Sequence, residues 1–217
     1  MLKGVIFDMD GLMIDTECIL QFFWCKAANQ FGFPMTKEHV LGIRSLAAKY
    51  AIPHLKAIFG DDFDYYAVRQ RRIEMMNDYI AKNGIAKKPG LDELLDFLNT
   101  TNIKIAVATA TDYNRTKMYL ESIGVFEYFD EIICGDMIEN GKPAPDIYLK
   151  ASSQLELKPE ECIALEDSPN GILSAYNAGC MPVMVPDLSL PDKDTAKLLY
   201  AECKTLSDVI PIIEKLI

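Results

Sequence analysis

The stretch V-I-F-D-M-D-G-L-M-I-D-T-E, residues 5–17, runs a block of β-forming apolar residues straight into two carboxylates, Asp8 and Asp10, with Gly11 behind them. Val5, Ile6 and Phe7 have no polar partner between them. That is the pattern of a short strand covered on both faces in a parallel sheet. Ligands of open parallel sheets bind beyond the carboxyl ends of the strands, so acids at this position point to chemistry as much as to structure.

Outward from this strand the same alternation repeats. I-K-I-A-V-A-T-A-T (103–111), E-I-I-C-G (131–135), C-I-A-L-E-D-S (162–168) and M-P-V-M-V-P-D (181–187) read as strands, separated by amphipathic helices predicted over 114–123, 146–155 and 171–178. The pattern predicts an α/β fold: a Rossmann-like parallel-sheet core with helices on both faces. Residues 15–88 contain no convincing strand. They predict an inserted all-helical cap, opening with Thr16 as N-cap and a stop at Gly32, and dividing the chain into a core of 1–14 and 89–217 and a cap of 15–88. The tail T-L-S-D-V-I-P-I-I-E-K-L-I (205–217) reads as a terminal amphipathic helix.

The 217 residues, half of them hydrophobic, can bury a sizeable core. A formal net charge of −10 argues against a nucleic-acid footprint, which requires clustered Lys and Arg. No run approaches the roughly 20 apolar residues of a membrane span, and the N-terminus turns acidic where a secretory signal would be apolar. The expectation is a cytoplasmic monomer. The six cysteines are scattered without a C-x-x-C pair, which predicts buried free thiols and neither a zinc site nor a disulfide framework.

Each strand ends in something reactive. The first ends in Asp8 and Asp10, the second in Thr109 and Thr111, and C-I-A-L in Glu166, Asp167 and Ser168, while Lys142 sits in the loop G-K-P-A-P-D. Hard carboxylate oxygens suit Mg²⁺, which commonly takes one or two protein carboxylates together with a substrate phosphate. The set predicts Asp8 as a nucleophile toward phosphorus and Asp10 as the acid and base that manages the leaving oxygen and the incoming water. Lys142 and Thr109 are expected to hold the phosphoryl oxygens.

The four motifs F-D-M-D-G-L (7–12), A-T-A-T (108–111), G-K-P-A-P-D-I-Y (141–148) and L-E-D-S-P-N-G (165–171) resemble, in order, those of the haloacid dehalogenase superfamily, in its branch with a helical cap after the first strand. The resemblance implies Asp8 as nucleophile, Asp10 as acid/base with its backbone carbonyl on Mg²⁺, Thr109 and Lys142 on the phosphate, and Asp167 as a further metal ligand with Glu166 beside it. Gly11, Ala110, Arg44 and Arg71 are the expected substrate-binding residues. Arg44 lies in G-I-R-S, which is similar to the cap's specificity loop, and Arg71 lies in the basic run R-Q-R-R. Family members that cleave carbon–halogen bonds lack the second Asp of the first motif, so Asp10 favours phosphate chemistry.

Plainer readings stand beside these. Strand-ending aspartates cap turns, an acidic pair suits a helix N-terminus, Thr111 reads as a strand residue, and R-Q-R-R fits an exposed helix face. Phe22, Phe23 and Trp24 read as cap packing with one face at the site's mouth, and His39 and His54 receive no role. Three functions compete: a phosphatase of a small phosphorylated sugar, polyol or nucleoside, a β-phosphoglucomutase-type transferase, and a non-enzymatic receiver-like module. Mutases of this branch carry a His on the first cap helix where this chain has Leu20, which favours the phosphatase. A receiver would have its acceptor on a later strand and no need of Asp10.

Overall fold

The computed structural model describes residues 1–44 and 46–217. Six strands form one parallel sheet: β1 (Gly4–Phe7), β2 (Lys104–Thr109), β3 (Glu131–Cys134), β4 (Cys162–Glu166), β5 (Met181–Met184) and β6 (Ala201–Glu202), in the order β3-β2-β1-β4-β5-β6. The chain winds outward from β1 in both directions, so the point where strand order reverses lies between β1 and β4. Val5 pairs with Ile105 on one side and Ile163 on the other, and Phe7 with Val107 and Leu165. This register brings Asp8, Thr109 and Glu166 to one edge.

Every residue of β1 and β4 is buried, because helices cover both faces. On one face Ile6, Ala106 and Ala164 pack with Ile147, Tyr148 and Ala151 of α7 (Asp146–Gln154) and Ala175 of α8 (Pro169–Ala178). On the other, Val5, Phe7, Val107 and Leu165 join Leu91, Leu94, Leu95 and Leu98 of α5 (Leu91–Asn99), whose i, i+3, i+4, i+7 spacing makes one apolar stripe. The remaining core helices are α6 (Tyr113–Ser122) and α9 (Ile210–Glu214).

Between β1 and α5 the chain forms α1 (Glu17–Gln30), α2 (Lys37–Leu41), α3 (Ala48–Phe59) and α4 (Tyr65–Asn83). Trp24, Ala27, Val68 and Met76 bury the contact between α1 and α4 and continue the larger core cluster. The segments that leave and re-enter the sheet bond to each other: Ile14 bridges Lys87, Asp15 N–H donates to Ala86 O at 2.9 Å, and Lys88 N–H donates to Met13 O at 2.9 Å. Among the described residues no helix is long and apolar enough to cross a membrane.

Several details depart from the sequence reading. Thr16 occupies the N-cap position of α1, but its hydroxyl makes no cap bond. The single terminal helix is instead a 3₁₀ turn at Leu206–Val209 followed by the five-residue α9, because Pro211 lacks an N–H and is tolerated only in a first turn. The edge strand β6 is two residues long, too short to leave a periodic signal. All six cysteines are free, but Cys18 is exposed and Cys25, at the margin of the core cluster, is half-buried. Ser45, in the stretch G-I-R-S, lies outside the described residues.

Candidate active site

Asp8 follows β1 and continues the ladder, its N–H donating to Leu165 O at 3.0 Å. Its carboxyl is almost fully buried and accepts from Lys142 Nζ. Lys142 is 1% exposed, although it lies in a loop, and its ammonium also donates to Ala108 O at 3.1 Å and Glu166 Oε1 at 2.7 Å. Tyr148, on α7, donates its hydroxyl to the same Glu166 oxygen at 2.5 Å. Burial pushes the Asp8 carboxyl up to about 7, with Glu166 adding to the effect and Lys142 opposing it. Burial alone would lower the ammonium of Lys142; Asp8 and Glu166 outweigh it and hold that group above its usual range.

Asp10 is held differently. Thr16 Oγ1 donates to its Oδ1 at 2.6 Å and Thr111 Oγ1 to its Oδ2 at 2.7 Å, so each oxygen has a hydroxyl and neither has a cation. The sequence reading treats Thr16 as a helix cap and Thr111 as a strand residue. Both orient Asp10 instead, and Thr111 N–H further donates to Thr109 Oγ1 at 3.1 Å. Thr111→Val keeps the shape and removes one bond of about 1 kcal/mol, so turnover is expected to fall roughly fivefold through kcat, with KM little changed. Steady-state kinetics on both proteins checks this.

Gly11 is required twice over. Its φ of +84° lies in the left-handed region, and a Cβ there would overlap the Asp167 carboxylate. Asp167 is fully buried, accepts from Arg44 Nη2, and among the described residues its Oδ1 has no hydrogen-bond partner. Oxygens of Asp8, Glu166 and Asp167 lie within 4.8 Å of one another. Three buried carboxylates this close, one with an orphaned oxygen, fit a small hard cation. Glu166 is already committed to Lys142 and Tyr148, which leaves Asp8 and Asp167 as the side chains best able to hold it.

Arg44 reaches the site from the loop after α2. It is buried against Asp167, Glu17 at 3.4 Å and Asp187 at 3.7 Å, and it also lines the cavity beside Asp8 and Asp10. Glu17, unmarked in the sequence reading, is pushed up to about 8 by burial against the pull of Arg44. Arg71 stands outside the site. It faces Gln30 at 2.9 Å and Glu74 at 3.2 Å on the surface, while Arg69 and Arg72 of the same basic run line the cavity. The phase of α4 decides this, because residues 65, 69, 72 and 76 share its inward face.

That cavity has a volume of about 120 Å³. Asp8, Asp10, Thr109 and Ala110 form the wall at the sheet edge, and Leu20, Trp24, Arg69 and Arg72 face them from the helical block. A second cavity of about 440 Å³ adjoins it and shares Leu46, Tyr65, Arg69 and Ala110.

Residues 5–185 match the family model of the haloacid dehalogenase-like hydrolases. The chain belongs to this family. It is 30% identical to a phosphorylated carbohydrates phosphatase of Thermotoga maritima, over 82% of each chain. It is 31% identical to the protein named probable pseudouridine-5′-phosphatase of Drosophila melanogaster, over 88% of this chain and 84% of the relative. The fold recurs in the crystal structure of β-phosphoglucomutase from Clostridium difficile, with a TM-score of 0.81 and 23% identity over 99% of this chain and 96% of that one. Among haloacid dehalogenase-like hydrolases these two curated relatives are named phosphatases, the class expected for this chain, while a β-phosphoglucomutase of Bacillus subtilis is 27% identical over 85% of this chain and 83% of the relative.

Proposed function

We propose that this hydrolase is a Mg²⁺-dependent phosphatase of a small phosphorylated metabolite, working through an aspartyl phosphate on Asp8, with residues 1–14 and 89–217 as catalytic core and 15–88 as cap. The observation that carries the reading is the unequal treatment of the two acids. Asp8 touches an ammonium and lies within 4.8 Å of an Asp167 oxygen, whereas Asp10 is steered by two hydroxyls and forms no ion pair among the described residues. A nucleophile needs the first environment and a proton carrier the second.

An Asp8 oxygen attacks phosphorus as the bond to the substrate oxygen breaks, and Asp10 gives its proton to the departing alkoxide. Asp10 then takes a proton from water as that water attacks the phosphorus of the acyl phosphate, releasing inorganic phosphate and restoring the Asp8 carboxylate. Lys142 and Thr109 hold the phosphoryl oxygens, and Glu166 with Tyr148 keeps Lys142 in place. Mg²⁺, carried by Asp8 and Asp167 with the backbone of Asp10, would offset the charge of carboxylates and phosphoryl group together.

Leu20 supports hydrolysis over mutase chemistry, because an apolar side chain occupies the place on the cavity wall where a mutase needs a proton-sharing His. The test measures phosphate release from sugar, polyol and nucleoside monophosphates with Mg²⁺ and after chelation, following glucose 6-phosphate from β-glucose 1-phosphate in the same samples. Release that chelation abolishes is expected. Isomerisation without release would make the protein a mutase, and neither activity would overturn the enzymatic reading.

A further inference from the structure

Lys142 answers Asp8 and Glu166, and the third acid of the cluster, Asp167, is answered from the helical block. Arg44 Nη2 donates to Asp167 Oδ2. The backbone on either side of this contact is tied to the core, since Asn170 Nδ2 donates to Arg44 O at 2.9 Å and Ala47 N–H donates to Lys142 O at 3.2 Å. A second core acid lies within reach of the same guanidinium: Asp187, 3.7 Å from Nη2. Asp187 Oδ1 accepts from Lys88 Nζ at 2.8 Å, whereas its Oδ2 and Arg44 Nε have no hydrogen-bond partner among the described residues. Arg44 Nη1 donates to Ser189 Oγ, two residues beyond Asp187, at 3.4 Å.

Asp167 is also one of the two side chains best able to hold Mg²⁺. A guanidinium and a divalent cation on one carboxylate repel each other, and in a buried site little water screens the repulsion. The two cations that the fold supplies differ in their freedom to respond. Lys142 is closed in by Asp8, Glu166 and Ala108 O and has no other acid to turn to. Arg44 has one, with an unused oxygen facing an unused N–H. A side chain with two acids in reach and a hydrogen bond to only one of them has two arrangements, and charge arriving at the first acid biases it toward the second.

We propose that Arg44 is an internal counter-cation that competes with Mg²⁺ for Asp167 and gives way to it by shifting onto Asp187. This rests on the Mg²⁺-dependent phosphatase reading and adds to it a control of metal affinity seated in the helical block. Other roles for Arg44 predict a different sign. An arginine reserved for substrate would leave metal affinity unchanged when no substrate is present, and one that only aimed Asp167 at the metal would weaken binding on removal.

The experiment is calorimetric titration of Mg²⁺ alone, without phosphate or substrate, into the wild type, Arg44→Gln, Arg44→Lys, Asp187→Asn and the Arg44→Gln/Asp187→Asn double variant, with circular dichroism on the same preparations. Arg44→Gln is expected to bind Mg²⁺ roughly 5- to 100-fold more tightly than the wild type, and Arg44→Lys, which keeps the charge, to stay within about threefold of it. Asp187→Asn removes the receiving acid and is expected to weaken binding roughly 3- to 10-fold, an effect that disappears in the double variant because no guanidinium is left to receive. Unchanged or weaker binding in folded Arg44→Gln would overturn the inference. So would unchanged or tighter binding in Asp187→Asn, a result that stands even where Arg44→Gln fails to fold, or an equal effect of Asp187→Asn in both backgrounds. Absence of Mg²⁺ binding to every one of these proteins would instead sink the metal-dependent reading on which the inference rests.

Discussion

Asp8→Asn is expected to leave a folded protein that releases no phosphate, with turnover down on the order of 10⁴-fold or more. The amide keeps the shape of the carboxyl and can still accept from Lys142, so the sheet edge has no reason to open. What it loses is the oxygen that bonds to phosphorus, and no neighbour replaces it. Glu166 is tied to Lys142 and Tyr148, and Asp167 is covered by Arg44. Phosphate release under single-turnover conditions, with the melting temperature measured on the same preparation, separates lost chemistry from lost fold. Full Mg²⁺-dependent activity in the variant would move the nucleophile elsewhere.

Lys142→Met is expected to damage both stability and activity. Met matches the length of the lysine but leaves Asp8 and Glu166, both buried, without their shared cation. Removing one partner of a buried ion pair typically costs about 3–5 kcal/mol, which for a chain of this size lowers the melting temperature by roughly 10 °C. Added Mg²⁺ should recover part of that loss by taking over some of the charge, since binding to the folded state stabilises it by mass action. Turnover should fall by about 10²- to 10⁴-fold even where the protein is folded, because the phosphoryl oxygens lose their charged donor. A melting temperature within about 2 °C of the wild type would contradict the burial described for this pair.

The parts of the site that the sequence announced share a property: each sits at a strand end or in a loop whose position follows from the strand order. Asp8, Thr109, Glu166 and Asp167 converge because β1, β2 and β4 are neighbours, and a run of apolar residues ending in an acid is legible without knowing anything about packing. The helical block is another matter. R-Q-R-R puts basic residues at positions 69, 71 and 72, and which of them turn inward depends on the phase of α4 against α1, set by Val68 and Met76. Polar residues dilute the apolar stripe of that helix, so the run points to Arg71 and gives no sign of Arg72. Thr16 illustrates a different limit. Its cap role has an alternative partner in water, whereas Asp10 beside it is partly buried and needs a donor, so the carboxylate wins the hydroxyl. Tyr148 lay in a quoted motif, but its role depends on α7 packing under Glu166, which no local pattern states.

The paired segments at Met13–Asp15 and Ala86–Lys88 have a consequence for how this chain can be rebuilt. The helical block departs and returns through backbone that is already bonded to itself, with ends one strand spacing apart, close to 4.8 Å. A segment joined to its host in this way imposes no length on it. A block of any size whose own termini lie side by side can be spliced between the two segments without shifting β1 against β2, and a tight turn could close the gap in its place. The sheet edge with its acids would survive the exchange, and what would travel with the graft is the wall that faces them.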